Sequence, residues 1–423
     1  MLDIKFIREN KDLIKEAARK KLIKFDVEQL LKSDDIRREL LTEIEKKRAE
    51  QNEVSFRIPE IKDDAAKREL FSQMKIVKED LHKEEEKLKE VMKDWQALML
   101  AVPNIPDISV PEGTTDADNK EVKVWGEKPK FDFTPKSHIE LMEKLDMVDL
   151  DRGTKVAGFR GYFLKNDGAL LSFAIWNFAM EHFMEKKFIP MIVPSLVRRE
   201  TLLGSGYLPQ GEDDLYKTQD TDYLAGTAEV ATMGYHSNET LAKEELPKKF
   251  LSFSPCFRRE AGSYSKDVKG LIRVHEFFKL EQVVLCEANH DESVKQHEAL
   301  NRNTEEFIEK LGIPYHTVVN CTGDLGLGQV KKYDVELWVP GENTYREISS
   351  ASYFHDFQAR RLNTRYKDSD GKTRYIHSLN STAIPTPRIL VSLVENFQQA
   401  DGSIKIPEAL RKYMGGKEFI GKK

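Results

Sequence analysis

The chain has 423 residues, 39% hydrophobic and 33% charged, with a formal net charge of −5. That length allows two domains and a sizeable core. The negative balance excludes a protein that coats nucleic acid through bulk charge, while a local basic face stays open. The first stretch, MLDIKFIRENKDLIKEAARKK, is charged throughout and is expected to be neither a signal peptide nor a membrane span. From Leu70 the apolar positions step by four and three through Met74, Val77, Leu81, Leu88, Val91, Trp95 and Leu98, broken only at Glu84. This is a heptad seam of a left-handed coiled coil. The segment from about Asp26 to Ile58 supplies the partner, with Leu30, Leu41, Ile44 and Val54. Asp26 followed by Gln29 reads as a helix start, and Pro59 with Asp63 and Asp64 reads as the turn. The prediction is a long antiparallel helical hairpin with arms of roughly 30 residues, about 45 Å each.

The composition then shifts. Residues 101–120, AVPNIPDISVPEGTTDADNK, are rich in Pro, Gly and Asp and read as a linker. The expected domains are a helical arm over 1–104 and a second domain over 105–423. Beyond the linker, Leu170 to Lys186 has the pattern of an aromatic amphipathic helix, and FIPMIVPSLV (188–197) that of a strand interrupted by proline. Pro190 suggests an edge or a bulge there. Phe250 to Arg258, Leu271 to Leu285, Val318 to Cys321, Val335 to Val339 and Tyr345 to Ser349 read as strands, and Ile389 to Asn396 as a helix. Strands joined by hairpins give an α+β class with an antiparallel sheet. Cys256, Cys286 and Cys321 form no metal knuckle or disulfide framework, which fits a reducing cytoplasm.

The stretch CFRREAGSYSKDVKGLIRVHEFFKLE (256–281) concentrates the chemistry. Read as two strands around a long loop, it puts Arg258 with Glu260 on one face, and Arg273, Phe277 and Glu281 likewise. Arginine forks grip phosphate oxygens, Phe277 offers a stacking surface for a purine, and Glu281 could hold an amine. Lys266 and Lys269 on the loop could close over a second ligand. A salt-bridged solvated hairpin is the alternative.

FRRE, a variable loop and GLIRVHEFFKLE resemble motif 2 of class II aminoacyl-tRNA synthetases, specifically the seryl-tRNA synthetase family. The resemblance covers essentially the whole chain: the hairpin as tRNA-binding arm, FIPMIVPSLV at motif 1, LAGTAEVA (224–231) at the Thr-x-Glu loop, the run 321–361 before motif 3, and HSLNSTAIPTPRILVSLVEN (377–396) at motif 3. It implies a six- to seven-stranded antiparallel sheet flanked by helices, in a homodimer built across motif 1. It also implies an enzyme that activates serine with ATP to seryl-adenylate and passes it to the 3′ end of tRNA(Ser), and to tRNA(Sec) where the organism has one, with Mg²⁺ as cofactor. The alternatives are a paralogue that charges a carrier protein, which the intact hairpin opposes, and an inactive structural paralogue.

By the same resemblance, Arg258 bridges the serine carboxylate and the α-phosphate and Arg388 takes the γ-phosphate; these two are the expected catalytic pair. Thr227, Ala228, Glu229, Arg258, Glu281, Asn380 and Thr382 are expected around serine. Arg258, Arg259, Glu260, Arg273, Val274, Phe277, Glu347, Ile348, Ser349, Ser350 and Arg388 are expected around ATP, with Glu347 and Ser350 as Mg²⁺ ligands. Each has a plainer alternative. Thr227 could cap a helix; Glu347 could pair with Arg346; Arg388 could open a helix or pair with Glu395; and one of Phe277 and Phe278 must face the core. His275, His377 and Cys256 are expected to be packed or solvated. Motif 3 departs from many members, with Ser381, Thr382 and Ala383 followed by Pro385 and Pro387 where glycines often stand, so Pro387 bears on how Arg388 enters the site. Arg37, Arg38, Lys46, Lys47 and Arg48 are candidate RNA contacts on the arm.

Overall fold

The computed structural model describes residues 1–262 and 267–421; Lys266 lies outside the described residues. The chain forms two compact units, Met1–Pro103 and Asn104–Lys423.

The first unit is helical: α1 (Ile4–Glu9), α2 (Lys11–Lys20), α3 (Val27–Arg57) and α4 (Asp64–Ala101). Asp26 caps α3 by accepting from the amides of Glu28 and Gln29 at 2.9 and 3.2 Å. Asp63, in the expected turn, caps α4 through the Ala65 amide. The two long helices run antiparallel, because Arg37 lies 4.6 Å over Trp95 while Lys47 meets Glu84 at 2.7 Å and Arg48 meets Glu85 at 2.6 Å. The break in the heptad seam is thereby explained: Glu84 occupies a seam position and is neutralised across it by Lys47. Leu30, Leu40, Ile44 and Leu81 are buried along the seam. Asp34, also buried on α3, accepts from Arg8 and Arg37 at 2.8 and 2.7 Å, so its charge is compensated where it is desolvated.

The second unit is built on an eight-stranded sheet. Its strands are β1 (Lys120–Trp125), β2 (Ile189–Ile192), β3 (Lys248–Phe257), β4 (Glu276–Cys286), β5 (Tyr315–Val319), β6 (Lys331–Val339), β7 (Thr344–Tyr353) and β8 (His377–Thr386). The order is β1-β5-β6-β7-β8-β4-β3-β2. Every pair is antiparallel except β2 with β3, which is parallel. The sheet thus exceeds the expected six or seven strands. Pro190 sits on the edge strand β2, where a missing amide is tolerated; FIPMIVPSLV continues into a separate short strand, Leu196–Val197.

Helices α5 (Asn166–Glu185), α7 (His290–Leu311) and α9 (Arg388–Asn396) share one core with the sheet, through residues such as Phe178, Phe183, Phe307, Leu280, Val284, Leu379 and Leu393. Two shorter helices, α6 (Ala228–Gly234) and α8 (Phe357–Leu362), pack with Val283 and Leu285 against the opposite face. Along β4 the alternation is clear. Leu280, Gln282 and Val284 turn to the helical layer, where Gln282 donates to the Leu300 carbonyl and Thr304 of α7. Phe277, Lys279 and Glu281 turn the other way.

Two expectations are corrected. The strands flanking the 256–281 loop end at Phe257 and restart at Glu276, so Arg258, Glu260 and Arg273 lie beyond the ladder and strand parity does not place them. Glu260 takes φ +53°, a left-handed turn conformation no strand residue adopts. The segment after Ala101 is also no free tether from Asn104 onward. Asn104 donates to the carbonyls of Gly328 and Phe354 at 2.9 and 2.8 Å, and Asp107 accepts from the Tyr353 hydroxyl at 2.6 Å. Backbone bonds to Leu327 and Val330 continue this attachment.

Because the Lys47–Glu84 pair spends an apolar seam position on charge, replacing both residues with Leu is expected to stabilise the hairpin. Lys47→Leu alone, which strands Glu84, is expected to lower its stability. Urea unfolding followed by circular dichroism checks both; a destabilised double variant would show that the pair itself holds the helices together.

Candidate active site

The site lies on the face of the sheet opposite the three helices. Two β-bulges align its floor. Between β4 and β8 the register shifts so that Leu280 faces Ile384 while Glu281 faces Thr382, leaving Ala383 extra. Between β6 and β7 it shifts so that Val335 faces Ser349 while Glu336 faces Glu347, leaving Ile348 extra. Each bulge re-aims the side chains that follow it. As a result Lys279, Glu281, Asn380, Thr382, Glu347, Ser350 and Ser352 line one cavity of about 430 Å³, with Thr227, Glu229, Arg258, Tyr207 and Lys332.

At the centre is a buried ion pair. Lys279 Nζ lies 3.0 Å from Glu281 Oε2, and Thr382 Oγ1 donates to the same oxygen at 3.2 Å. Lys279 and Glu281 are 6% and 2% exposed, so each charge depends on the other. One wall is Glu229. Thr227 caps α6 by accepting from the Glu229 amide at 3.3 Å, so the plainer capping role is real and also presents Glu229 to the cavity. The Glu229 carboxylate accepts from Gln358 Nε2 at 2.7 Å and from the Tyr207 hydroxyl at 2.9 Å. Burial first, and then the charge of Glu281, push this carboxyl up to about 7 against the pull of its hydrogen bonds and Lys279.

Arg258 follows β3, and its Nε donates to the Gly226 carbonyl at 3.3 Å. Its guanidinium stands 5.3 Å from the Phe277 ring, within cation–π range. Reciprocal bonds hold the turn: the Arg258 amide donates to the His275 carbonyl at 3.0 Å and His275 Nδ1 donates to the Arg258 carbonyl at 2.9 Å. Beside it a narrower cleft is lined by Glu260, Arg273, Val274, Phe277, Glu347, Ile348 and Arg388. Phe278 turns away and stacks on Phe253 with centroids 6.1 Å apart, so Phe277 is the ring that faces the site. Arg388 opens α9 after a cis Thr386–Pro387 peptide. It donates to the carbonyls of Ile272 and Glu347 at 2.9 and 3.0 Å, which fixes its direction across the cleft. Arg273 meets Glu260 at 2.8 Å and Asp267 at 3.0 Å, and Asp267 also meets Arg346 at 3.0 Å. A carboxylate thus lies where two arginines converge, beside a further cavity of about 640 Å³ that Glu347 and Arg388 also line.

Three residues expected in the site turn their side chains elsewhere. Arg259 is exposed and donates to the Asp213 carbonyl. Ser349 is buried and donates to the Thr382 carbonyl. Ala228 is packed within α6. Lys269 is exposed on the loop. His377 bonds Ser293, and burial raises the Cys256 thiol, so both are packed groups, as expected. Sequence reasoning missed Lys279, Tyr207, Lys332, Asp334 and Gln358. Lys279 was within reach, since it alternates with Phe277 and Glu281; the others come from distant segments and carry no local signal.

An antiparallel sheet with an arginine, a carboxylate and an aromatic ring gathered around its central strands, and a second arginine opening a helix beside them, defines a class II aminoacyl-tRNA synthetase core. The family model for the tRNA synthetase class II core domain (G, H, P, S and T) matches residues 214–397, and that for the seryl-tRNA synthetase N-terminal domain matches residues 1–106. The serine–tRNA ligase of Deinococcus radiodurans is 46% identical over 422 residues, covering 100% of this chain and 99% of the relative. That of Thermodesulfovibrio yellowstonii is 44% identical, covering 98% and 99%. Among solved structures, the seryl-tRNA synthetase of Pyrococcus horikoshii complexed with ATP superposes with a TM-score of 0.90 at 39% identity, covering 99% of each chain. The cytoplasmic serine–tRNA ligase of Naegleria fowleri in complex with AMP gives 0.86 at 31% identity, covering 99% of this chain and 98% of that one. The chain belongs to the seryl-tRNA synthetase family.

The ion pair on the floor sets a stability test. Lys279→Met, which leaves Glu281 buried beside no cation, is expected to cost roughly 3–5 kcal/mol, and adding Glu281→Gln is expected to recover most of it. Urea unfolding of the three proteins checks this; equal losses in the single and double variants would show that Lys279 acts through packing alone.

Proposed function

We propose that this chain is a serine–tRNA ligase that works in two steps at the cavity between β4, β7 and β8. In the first, a carboxylate oxygen of serine attacks the α-phosphorus of ATP, the bond to the bridging oxygen breaks, and pyrophosphate leaves. In the second, a hydroxyl of the terminal ribose of tRNA(Ser) attacks the seryl carbonyl and AMP leaves. The observation that carries this reading is the position of Arg258, which lines both the cavity with the buried polar corner (Glu229, Lys279, Glu281, Asn380, Thr382) and the adjoining cleft of Phe277, Glu260 and Arg388.

Serine's ammonium fits the carboxylates of Glu229 and Glu281, and its hydroxyl fits the Glu281–Thr382 pair. A corner that hydrogen-bonds a hydroxyl leaves polar groups unpaired with alanine and so discriminates strongly. Arg258 is placed to meet the serine carboxylate and the α-phosphate together, where charge develops as the bond forms. Adenine would lie on Phe277 beside Val274 and Glu260. The phosphates would reach Arg388 and Arg273, and the convergence of Arg273 and Arg346 on the Asp267 carboxylate marks a position suited to an anion. A magnesium ion fits the donor set. Glu347 and Ser350 share the site face of β7, and Ser350 stands opposite Asp334, a buried carboxyl whose Oδ1 has no hydrogen-bond partner. Those are oxygen donors, as a hard cation prefers. Glu347 and Ser350 would hold the ion, whose contribution is to neutralise phosphate charge.

The arm, residues 1–104 in this reading, would bind the tRNA, and residues 105–423 would carry the chemistry. Arg37, Lys47 and Arg48 are tied to partners within the hairpin, whereas Arg38 and Lys46 are exposed and are the better candidates for phosphate contacts. A homodimer across motif 1 is supported by its exposed apolar side chains, Ile189 and Ile192 on the sheet's edge strand and Leu196 on the short strand that follows, at 51%, 86% and 51% exposure. No helix among the described residues is long and apolar enough to cross a membrane; three free, buried cysteines accord with a cytoplasmic enzyme.

Serine-dependent exchange of pyrophosphate into ATP tests the first step. Arg258→Ala is expected to lower it by about a hundredfold or more, and an unchanged rate would refute the assignment of the site. Arg38→Ala with Lys46→Ala is expected to raise the KM for tRNA and leave the exchange rate unaltered. Loss of exchange in that variant would contradict the division of labour between arm and sheet.

A further inference from the structure

In the amine corner of the cavity one carboxylate has a cation bonded to it and the other has none. Lys279 and Glu281 neutralise each other at 3.0 Å on β4. Glu229 faces them from α6, 4% exposed, with no cation bonded to it. Its two hydrogen-bond partners are neutral. Gln358 on α8 is fixed in one orientation: its Oε1 accepts from Ser378 at 2.6 Å, and its Nε2 donates to the Ser205 carbonyl and to Glu229 Oε1. Tyr207, beyond the helix Arg199–Ser205, meets the other oxygen at 2.9 Å. The charged and titratable groups facing Glu229 are therefore Tyr207, Glu281, Lys279 and Arg258, and Arg258 is directed to the Gly226 carbonyl and the Phe277 ring.

With Glu229 ionised, a carboxylate is held out of water with only neutral groups bonded to it, which is costly. Protonation removes that cost. A substrate ammonium entering beside it supplies the missing cationic contact and favours the ionised carboxylate. We propose that Glu229 is a neutral acid in the free enzyme at mildly acid pH and releases its proton to solvent when the substrate's ammonium docks against it, with Tyr207 and Gln358 as the positioning residues for that exchange. One bond changes: the carboxyl O–H breaks, the proton passes to water, and the carboxylate so formed pairs with the ammonium. Tyr207 suits the task because a hydroxyl can accept from a neutral carboxyl and donate to an ionised one, so the same contact survives loss of the proton. The carboxyl's rise to about 7 places the exchange inside the working pH range. This inference rests on the reading of the cavity as a serine site.

The test is calorimetric titration of the full-length protein with serine, at pH 6 and pH 8, each in two buffers of different ionisation heat. The wild type is expected to release about one proton per serine at pH 6 and little at pH 8, with affinity about tenfold weaker at pH 6. Glu229→Gln is expected to release none and to bind with no pH dependence over this range. Tyr207→Phe is expected to bind serine with the midpoint of proton release moved to higher pH, because the bond lost to the ionised carboxylate is stronger than the one lost to the neutral acid. Serine binding to the wild type without proton release at pH 6, or the same release from Glu229→Gln, would overturn the proposal. An unmoved midpoint in Tyr207→Phe would remove Tyr207 from it. If neither serine nor a non-hydrolysable seryl-adenylate analogue binds at either pH, the serine reading fails, and the proton exchange fails with it.

Discussion

Everything at this site depends on keeping charges buried without leaving any of them alone. Lys279 and Glu281 occupy consecutive positions on one face of β4, and neither could be desolvated without the other. Their neighbour on β8, Thr382, adds a hydroxyl to the same carboxylate. This arrangement exists only because β4 is a central strand with two unlike faces. Leu280 and Val284 enter the helical core while Lys279 and Glu281 face the cavity. The bulges at Ile348 and Ala383 then bring the polar residues of β7 and β8 onto that same face. Fold and site are one constraint seen from two sides of a sheet.

The cationic groups are held differently from the carboxylates. Arg258 and Arg388 both bond backbone carbonyls, at Gly226, Ile272 and Glu347. Those partners orient a guanidinium without cancelling its charge, which suits residues that must meet anionic substrate groups. Arg273 is instead engaged by Glu260 and Asp267. The difference separates arginines kept ready from one that shares its charge with the protein itself.

Much of this was legible in the sequence, for reasons that can be named. The heptad seam, the cap at Asp26, the turn at Asp63, and the edge position of Pro190 follow from local rules of periodicity and backbone donors. The opposite facing of Phe277 and Phe278 follows from strand alternation. What local rules could not deliver was the turn at Arg258. A run rich in strand-favouring residues suggested a longer ladder, but Glu260 adopts φ +53°, and Arg258 reaches its place through bonds to Gly226 and His275. The order of the segment after Asn104 was equally hidden, since its partners Gly328 and Phe354 lie more than two hundred residues away. Tyr207 and Gln358 converge on Glu229 from segments with no pattern of their own. The long motifs around Arg258, Glu347 and Arg388 drew attention to the right region because they are long and ordered along the chain, and the resemblance, rather than spacing alone, supplied their roles.

A serine-activating cavity served by a tRNA-binding arm must charge tRNA with serine. The most direct measurement is ATP-dependent transfer of labelled serine to an intact tRNA pool, with alanine and threonine in parallel. The account predicts transfer of serine, none of alanine, and threonine far behind. Transfer of none of the three, from protein that still binds ATP, would contradict it.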